Sequence, residues 1–304
     1  MSVSGEGLEY WLCDVFTEKP LAGNQLAVFA DAGHLATEQM QAIAREMNLS
    51  ETTFLVRREE REERERGVTV RIFTVQEELP FAGHPTLGTA SLIREYLPQN
   101  VEMVNGRETV MLNLKAGRVP VRFESGSLFG EMTQPNPSFG VLHEAAAVAK
   151  ALGFRPEDLA ASMPIQTAST GLPFVIVPLA SVDVLSRLRV PMALADEYVR
   201  DKDAKFFFCI ARDGSDANGS EWRARMQFYN GEDPATGSAA GCAISYLVRH
   251  GFVASEQRVH LRQGVEMGRP SDLFLRAHRE GEKVSEIRVG GSTVPVAKGR
   301  FFLA

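Results

Sequence analysis

Two turns built from glycine and other small residues stand half a chain apart, and each runs into a helix-forming stretch. They are Phe81-Ala82-Gly83-His84-Pro85-Thr86-Leu87-Gly88 and Asp233-Pro234-Ala235-Thr236-Gly237-Ser238-Ala239-Ala240-Gly241. Gly241 follows Gly88 by 153 positions in a chain of 304 residues, so the repeat is as long as one half. A repeat of that length predicts two related domains. A small-residue turn at a helix start presents backbone N–H groups and the positive end of the helix dipole, which suits an anion. Two such turns converging would make a carboxylate-binding cleft.

The composition sets the broad class. With 44% hydrophobic and 24% charged residues the chain is an ordinary globular one, longer than a single core usually serves. Its net charge is −6 and its basic residues are scattered, which argues against nucleic acid and anionic lipid as partners. The first twenty residues lack the basic start and apolar core of a signal peptide. No apolar run approaches the ~20 residues of a membrane span, so a cytoplasmic location and no membrane partner are expected. Cys13, Cys209 and Cys242 are far apart and odd in number, and the six His include no metal-binding spacing. Disulfides and a metal site are therefore not expected; Cys209 reads as a buried strand residue and Cys242 as a packing residue of a helix.

Strands and helices alternate within each half. Residues 10–16 and 25–30 read as a hairpin, followed by a helix with Thr37 as N-cap and Met40, Ile43, Ala44 and Met47 on its apolar face, ending near Asn48. Strands are expected at 52–56 and 68–74. Between them the run 57–66, five Arg and five Glu, reads as a solvated hairpin extension, partly helical through Glu/Arg pairs. A hairpin at 109–114 and 119–123 precedes the loop Gln134-Pro135-Asn136-Pro137, the expected domain crossing. Beyond it a helix at 144–152, a strand at 173–177, a helix within 193–200 and strands at 205–211 and 222–229 lead to the second turn and its helix, to His250. Strands at 259–262, 272–277, 283–290 and 294–303 follow. The whole reads as α+β, with a long helix against a curved sheet in each half.

Four side chains are candidates for chemistry. Glu51 stands in Asn48-Leu49-Ser50-Glu51-Thr52, where a helix stops and a strand begins, a junction that holds a carboxylate either at a cleft mouth or simply at an element end. His84 follows Gly83 and reads as a turn histidine bonded to nearby backbone or as an acid, base or orienting donor. Asp233 before Pro234 suits a turn-initiating or helix-capping residue as well as a functional one. Ser238 has no base spaced for hydrolysis, and Gly237-Ser238-Ala239 is not a nucleophile elbow.

These segments together resemble a known family. Asp14-Val15-Phe16-Thr17 with Gly23-Asn24, the Asn48 to Thr52 block, Arg71-Ile72-Phe73-Thr74 leading to the first glycine turn, the second glycine turn, and Gln263-Gly264-Val265-Glu266-Met267-Gly268-Arg269-Pro270-Ser271 are similar to the PhzF-like phenazine-biosynthesis isomerase/epimerase family. Five ordered blocks over nearly the whole chain make the resemblance specific. It implies the diaminopimelate-epimerase-like fold: two pseudo-equivalent domains, each a curved sheet around a central helix, with the active site in the cleft between them. The domains are expected at 1–134, completed by the strand 294–304, and at 135–293.

The resemblance implies Glu51 as the catalytic acid/base, His84, Asp233 and Ser238 as groups that bind or polarise the substrate, and Gly83 and Gly237 as backbone donors. It implies isomerisation of 2,3-dihydro-3-hydroxyanthranilate, a proton moved from C3 to C1 with tautomerisation to a ketone, without any cofactor. It implies a small carboxylate substrate and a homodimer. Related epimerases work with one Cys at each glycine turn; Ala82 and Ala235 occupy those neighbourhoods here, which argues against two-thiol chemistry. Gln25 and Val75 replace prolines common in the family. The alternatives are a protein that only binds a metabolite or partner, and an epimerase or racemase working with one base.

Overall fold

The computed structural model describes residues 7–214, 219–229 and 231–303. It divides into two compact units, one through Met132 together with the stretch from Gly290, the other Thr133–Val289.

The first unit contains β1 (Leu8–Val15), β2 (Asn24–Phe29), α1 (Thr37–Met47), β3 (Glu51–Val56), α2 (Glu60–Arg66), β4 (Val68–Phe73), β5 (Glu78–Leu79), α3 (Gly83–Tyr96), β6 (Val101–Val104), β7 (Arg107–Leu114), β8 (Gly117–Phe123) and most of β9 (Phe129–Gln134). The hairpin β1–β2 continues through the parallel pair β2–β3, the antiparallel pair β3–β4, the parallel pair β4–β7 and the antiparallel run β7–β8–β9. The last strand of the chain, Lys283–Phe301, pairs antiparallel with β1 from Leu8↔Phe301 to Val15↔Thr293. Gly290 on that strand lies against the Gly130 carbonyl of β9, where a Cβ would come within 2.9 Å.

The sheet wraps α3, which packs against β1, β2, β3, β7 and β8 and is buried almost all round from Gly83 to Ile93. A helix buried on every side needs small residues where strands approach. Gly88 is such a point: a Cβ there would stand 2.6 Å from Val15 and 2.7 Å from Leu26. On the outer face Ala27, Phe29, Phe54 and Phe73 pack with Met40, Ile43 and Ala44 of α1, as the apolar spacing of that helix predicts.

The second unit contains β10 (Ser138–His143), α4 (Ala145–Leu152), β11 (Ile165–Ser169), β12 (Pro173–Pro178), α5 (Val182–Ser186), α6 (Met192–Val199), β13 (Phe206–Arg212), β14 (Glu221–Arg225), β15 (Gln227–Phe228), β16 (Gly231–Glu232), α7 (Gly237–Arg249), β17 (Val259–Gln263), β18 (Ser271–Glu280) and the first part of β19 (Lys283–Phe301). The order β10–β11–β12–β13–β14–β17–β18 mixes antiparallel pairs with the parallel pairs β12–β13 and β14–β17. Strands covered on both faces read as continuous apolar runs, which is why Phe174 to Val177 and Phe206 to Ala211 carry so few polar residues. Val175, Val177, Phe207 and Cys209 pack outward with α4, α5 and α6. The other face meets α7, buried from Gly237 to Val248. Among the described residues no helix is long and apolar enough to cross a membrane.

Several local expectations are corrected. Thr37 is the first helical residue of α1, not its N-cap: Ala36 holds that place with extended backbone, and Gln39 accepts its N–H at 2.9 Å. The Thr37 hydroxyl instead accepts from Arg71 at 3.0 Å. The charged run joins the antiparallel strands β3 and β4 and is partly helical, as α2 with Glu/Arg pairs one turn apart, as expected; it is not solvated throughout, because Glu63 within it is buried in a bidentate pair with Arg57. Residues 222–229 do not form one strand, because the chain breaks at Met226, whose carbonyl accepts from the Asp233 N–H at 3.0 Å. The two last strands expected separately are one, β19, with a register irregularity opposite Leu12 and Cys13. Strands β6, β9, β10 and β11 are additional to those expected; β10 is mostly exposed and β11 mostly buried, so neither carries an alternating pattern.

Candidate active site

In the first unit, Glu51 opens β3. The chain reaches it through Asn48, the C-cap of α1 in the left-handed conformation, a geometry asparagine tolerates better than most residues. Glu51 pairs with Leu26 of β2, and its side chain is 16% exposed. His84 is the second residue of α3, and its side chain is 3% exposed. The ring Nδ1 lies 3.5 Å from Glu51 Oε2 and 3.1 Å from Asn24 Nδ2. Burial pushes the His84 pKa down to about 3, with the Gln25 backbone opposing the shift, so the imidazole is neutral at ordinary pH. Its Nε2 is buried and makes no hydrogen bond of normal geometry among the described residues.

Asn24 is delivered by the β1–β2 connection. Gly23 has φ of +67°, and a Cβ there would run into Thr17 and the Val15 carbonyl, so glycine is required. Asp14, buried on β1, accepts the Leu21 N–H at 2.7 Å and ties the loop back. Asn24, Glu51 and His84 thus come together from a hairpin end, a strand start and a helix start. Gly83 is the first residue of α3, after Ala82, whose methyl group caps nothing.

In the second unit, Asp233 accepts the Thr236 hydroxyl at 2.6 Å. Gln263, fully buried on β17, donates to the Asp233 carbonyl at 2.8 Å and accepts the Thr236 N–H at 3.0 Å. The next residue, Gly264, has φ of +74°, and a Cβ there would come within 2.7 Å of the Pro234 carbonyl. The Gln263-Gly264 block is therefore a clamp on the turn that carries Asp233. Gly237 and Ser238 are the first two residues of α7, so Ser238 has the helix position in this unit that His84 has in the other. Gln134 donates to the Gly237 carbonyl at 2.8 Å and accepts the Thr170 hydroxyl at 2.7 Å. Within their own units the structure brings Glu51 to His84 and gathers Asp233, Gly237 and Ser238 on one turn.

All three cysteines are buried. Burial pushes their thiols up, to about 12 for Cys209 and Cys242, which makes them poor acid/base groups near neutrality. Among the described residues no three His, Cys, Asp or Glu side chains are grouped so as to hold a metal ion.

The family pattern described as phenazine biosynthesis-like protein matches residues 13–299. The chain belongs to this family. It is 36% identical over 301 residues to trans-2,3-dihydro-3-hydroxyanthranilate isomerase of Pseudomonas aeruginosa, covering 97% of this chain and 99% of that one. Among solved structures it is similar to a predicted epimerase of Pseudomonas aeruginosa, with TM-score 0.82, 34% identity and coverage of 98% and 100%. It is also similar to a phenazine biosynthesis protein of the PhzF family from Bacillus anthracis, with TM-score 0.84, 25% identity and the same coverage.

The family blocks acquire physical reasons here. Gly23-Asn24 places an amide on His84, and Gln263-Gly264 clamps the turn of Asp233. Asn24, Gln134, Thr170 and Gln263 were not singled out as individual residues in the sequence. Asn24 and Gln263 lie inside the family blocks, whereas Gln134, which the sequence places at the start of a loop, ends β9.

Proposed function

We propose that this isomerase moves a proton on a small, cyclic, amino-bearing carboxylate, in the manner of trans-2,3-dihydro-3-hydroxyanthranilate isomerase, with Glu51 as the single acid/base. The observation that carries the reading is the Glu51 carboxylate 3.5 Å from a buried imidazole that burial keeps neutral. A neutral imidazole does not trap the carboxylate in a tight ion pair, so the carboxylate stays available as a base. Glu51 would take the proton from C3 and return the same proton to C1. Reprotonation by one group requires delivery to the same face of the ring, and no group other than the carboxylate need change its protonation state. His84, Asp233 and Ser238 would bind and polarise the substrate, with Gly83 and Gly237 offering backbone N–H groups to its carboxylate. The fit of these roles rests on the family motifs and on the side-chain geometry within each unit.

The deciding experiment is NMR in D₂O with 2,3-dihydro-3-hydroxyanthranilate, comparing the native protein with Glu51→Gln. Conversion by the native protein that disappears in the variant supports the reading. Equal conversion by both removes Glu51 from the chemistry, and none by the native protein removes the phenazine precursor as substrate. A cytoplasmic homodimer belongs to the same proposal, on family grounds, and light scattering of the purified protein tests the dimer.

A further inference from the structure

We propose that Asn24 is a positioning residue that sets the tautomer of His84, keeping the ring proton on Nε2, so that the site offers a neutral N–H donor to the substrate and leaves proton abstraction to the carboxylate. The amide nitrogen of Asn24 can donate and cannot accept. At 3.1 Å from Nδ1 it requires a lone pair on that ring nitrogen. A neutral imidazole carries one N–H, which then sits on Nε2. Nε2 is buried and makes no hydrogen bond of normal geometry among the described residues, while the Gln25 backbone acts on the ring against its burial. Leaving a buried donor unsatisfied costs about 1–3 kcal/mol, a penalty relieved when an oxygen acceptor arrives.

The surroundings fit this role. Asn24 is itself buried and begins β2 directly opposite Val15, so its backbone is held by the hairpin on one side and by Gly23 on the other. The lone pair on Nδ1 also faces Glu51 Oε2 at 3.5 Å. The Asn24 amide engages that single lone pair, so the ring offers Glu51 neither a proton nor a positive charge to hold it. The ring thus keeps its own proton throughout the cycle. What the N–H meets depends on the isomerase reading above; the tautomer does not.

The test is nitrogen NMR on protein labelled at histidine, with Glu51 intact and His84→Gln used to assign the ring. In the native protein near neutral pH, Nε2 should show the protonated-nitrogen shift and Nδ1 the lone-pair shift. Asn24→Ala should let the two tautomers mix, and turnover of 2,3-dihydro-3-hydroxyanthranilate should fall by about tenfold, chiefly in kcat, the worth of one buried hydrogen bond. A native ring protonated on Nδ1 would overturn the proposal, as would an Asn24→Ala ring with its tautomer unchanged. If Asn24→Ala does not fold, the native spectrum alone decides. A native Nε2–H ring in a protein that does not turn over this substrate would count against the isomerase reading and leave the tautomer assignment standing.

Discussion

Glu51 Oε2 and His84 Nδ1 stand 3.5 Å apart although 33 positions separate the two residues, one opening a strand and the other in the first turn of a buried helix. The contact puts a partly exposed carboxylate against a fully enclosed ring. Burial, the dominant influence on that ring, drives its proton affinity down.

That burial has a signature in acid stability. Native His84 stays neutral down to about pH 3, whereas in the unfolded chain it binds a proton near the ordinary value of 6.5. Between those values the unfolded state holds more protons, so this contribution to stability is complete above the unfolded value and is lost as the pH falls toward 3. Urea titrations at neutral and mildly acidic pH should show a smaller acid loss for His84→Gln than for the native protein. Equal losses would place the acid sensitivity elsewhere.

Gly88→Ala should destabilise the first unit by about 1–3 kcal/mol, because the new methyl overlaps Val15 and Leu26 in a closely packed core. At the matching place in the repeat, Gly241→Ala should displace the Gln134 side chain and break its bond to the Gly237 carbonyl. Thermal melting checks both, and a Gly88→Ala midpoint equal to the native one would refute the packing argument.

The charged run 57–66 should respond unevenly to mutation. Burial alone would raise the Glu63 carboxyl, but hydrogen bonds from Arg57, the Arg58 N–H and Asn100 outweigh it and hold the pKa below the usual carboxylate range. Glu63→Ala should cost about 1–3 kcal/mol, because the Arg58 N–H and the Asn100 amide lose their acceptor and the partly buried Arg57 its partner. Glu65→Ala, removing an exposed pair with Arg61, should cost at most about 0.5 kcal/mol. Denaturant midpoints of the two variants decide it.

Gln263→Ala should loosen the turn of Asp233, since three hydrogen bonds from a fully buried side chain disappear together. Leaving a buried polar group unsatisfied costs about 1–3 kcal/mol, so the melting midpoint should fall. On the proposed function, KM should rise as Asp233 loses its fixed place. A lowered midpoint with unaltered KM would make Gln263 purely structural.

Elements that depend on neighbours along the chain are legible in the sequence. The helices after the two glycine turns, the helix end near Asn48 and the apolar strands at 173–177 and 205–211 all follow from residue size, side-chain periodicity and backbone freedom within a few positions. The family blocks mark the candidate site for the same reason, since each is a short contiguous string. Which distant groups meet is set by the folded chain. Asn24 reaches His84 across 60 positions, Gln263 grips Asp233 across 30, and Glu63 hides inside a run that reads as solvated because Arg57 and Asn100 close on it. Those contacts depend on strand register and on how closely a sheet can approach a buried helix, and sheet pairing at long range leaves almost no trace in local composition.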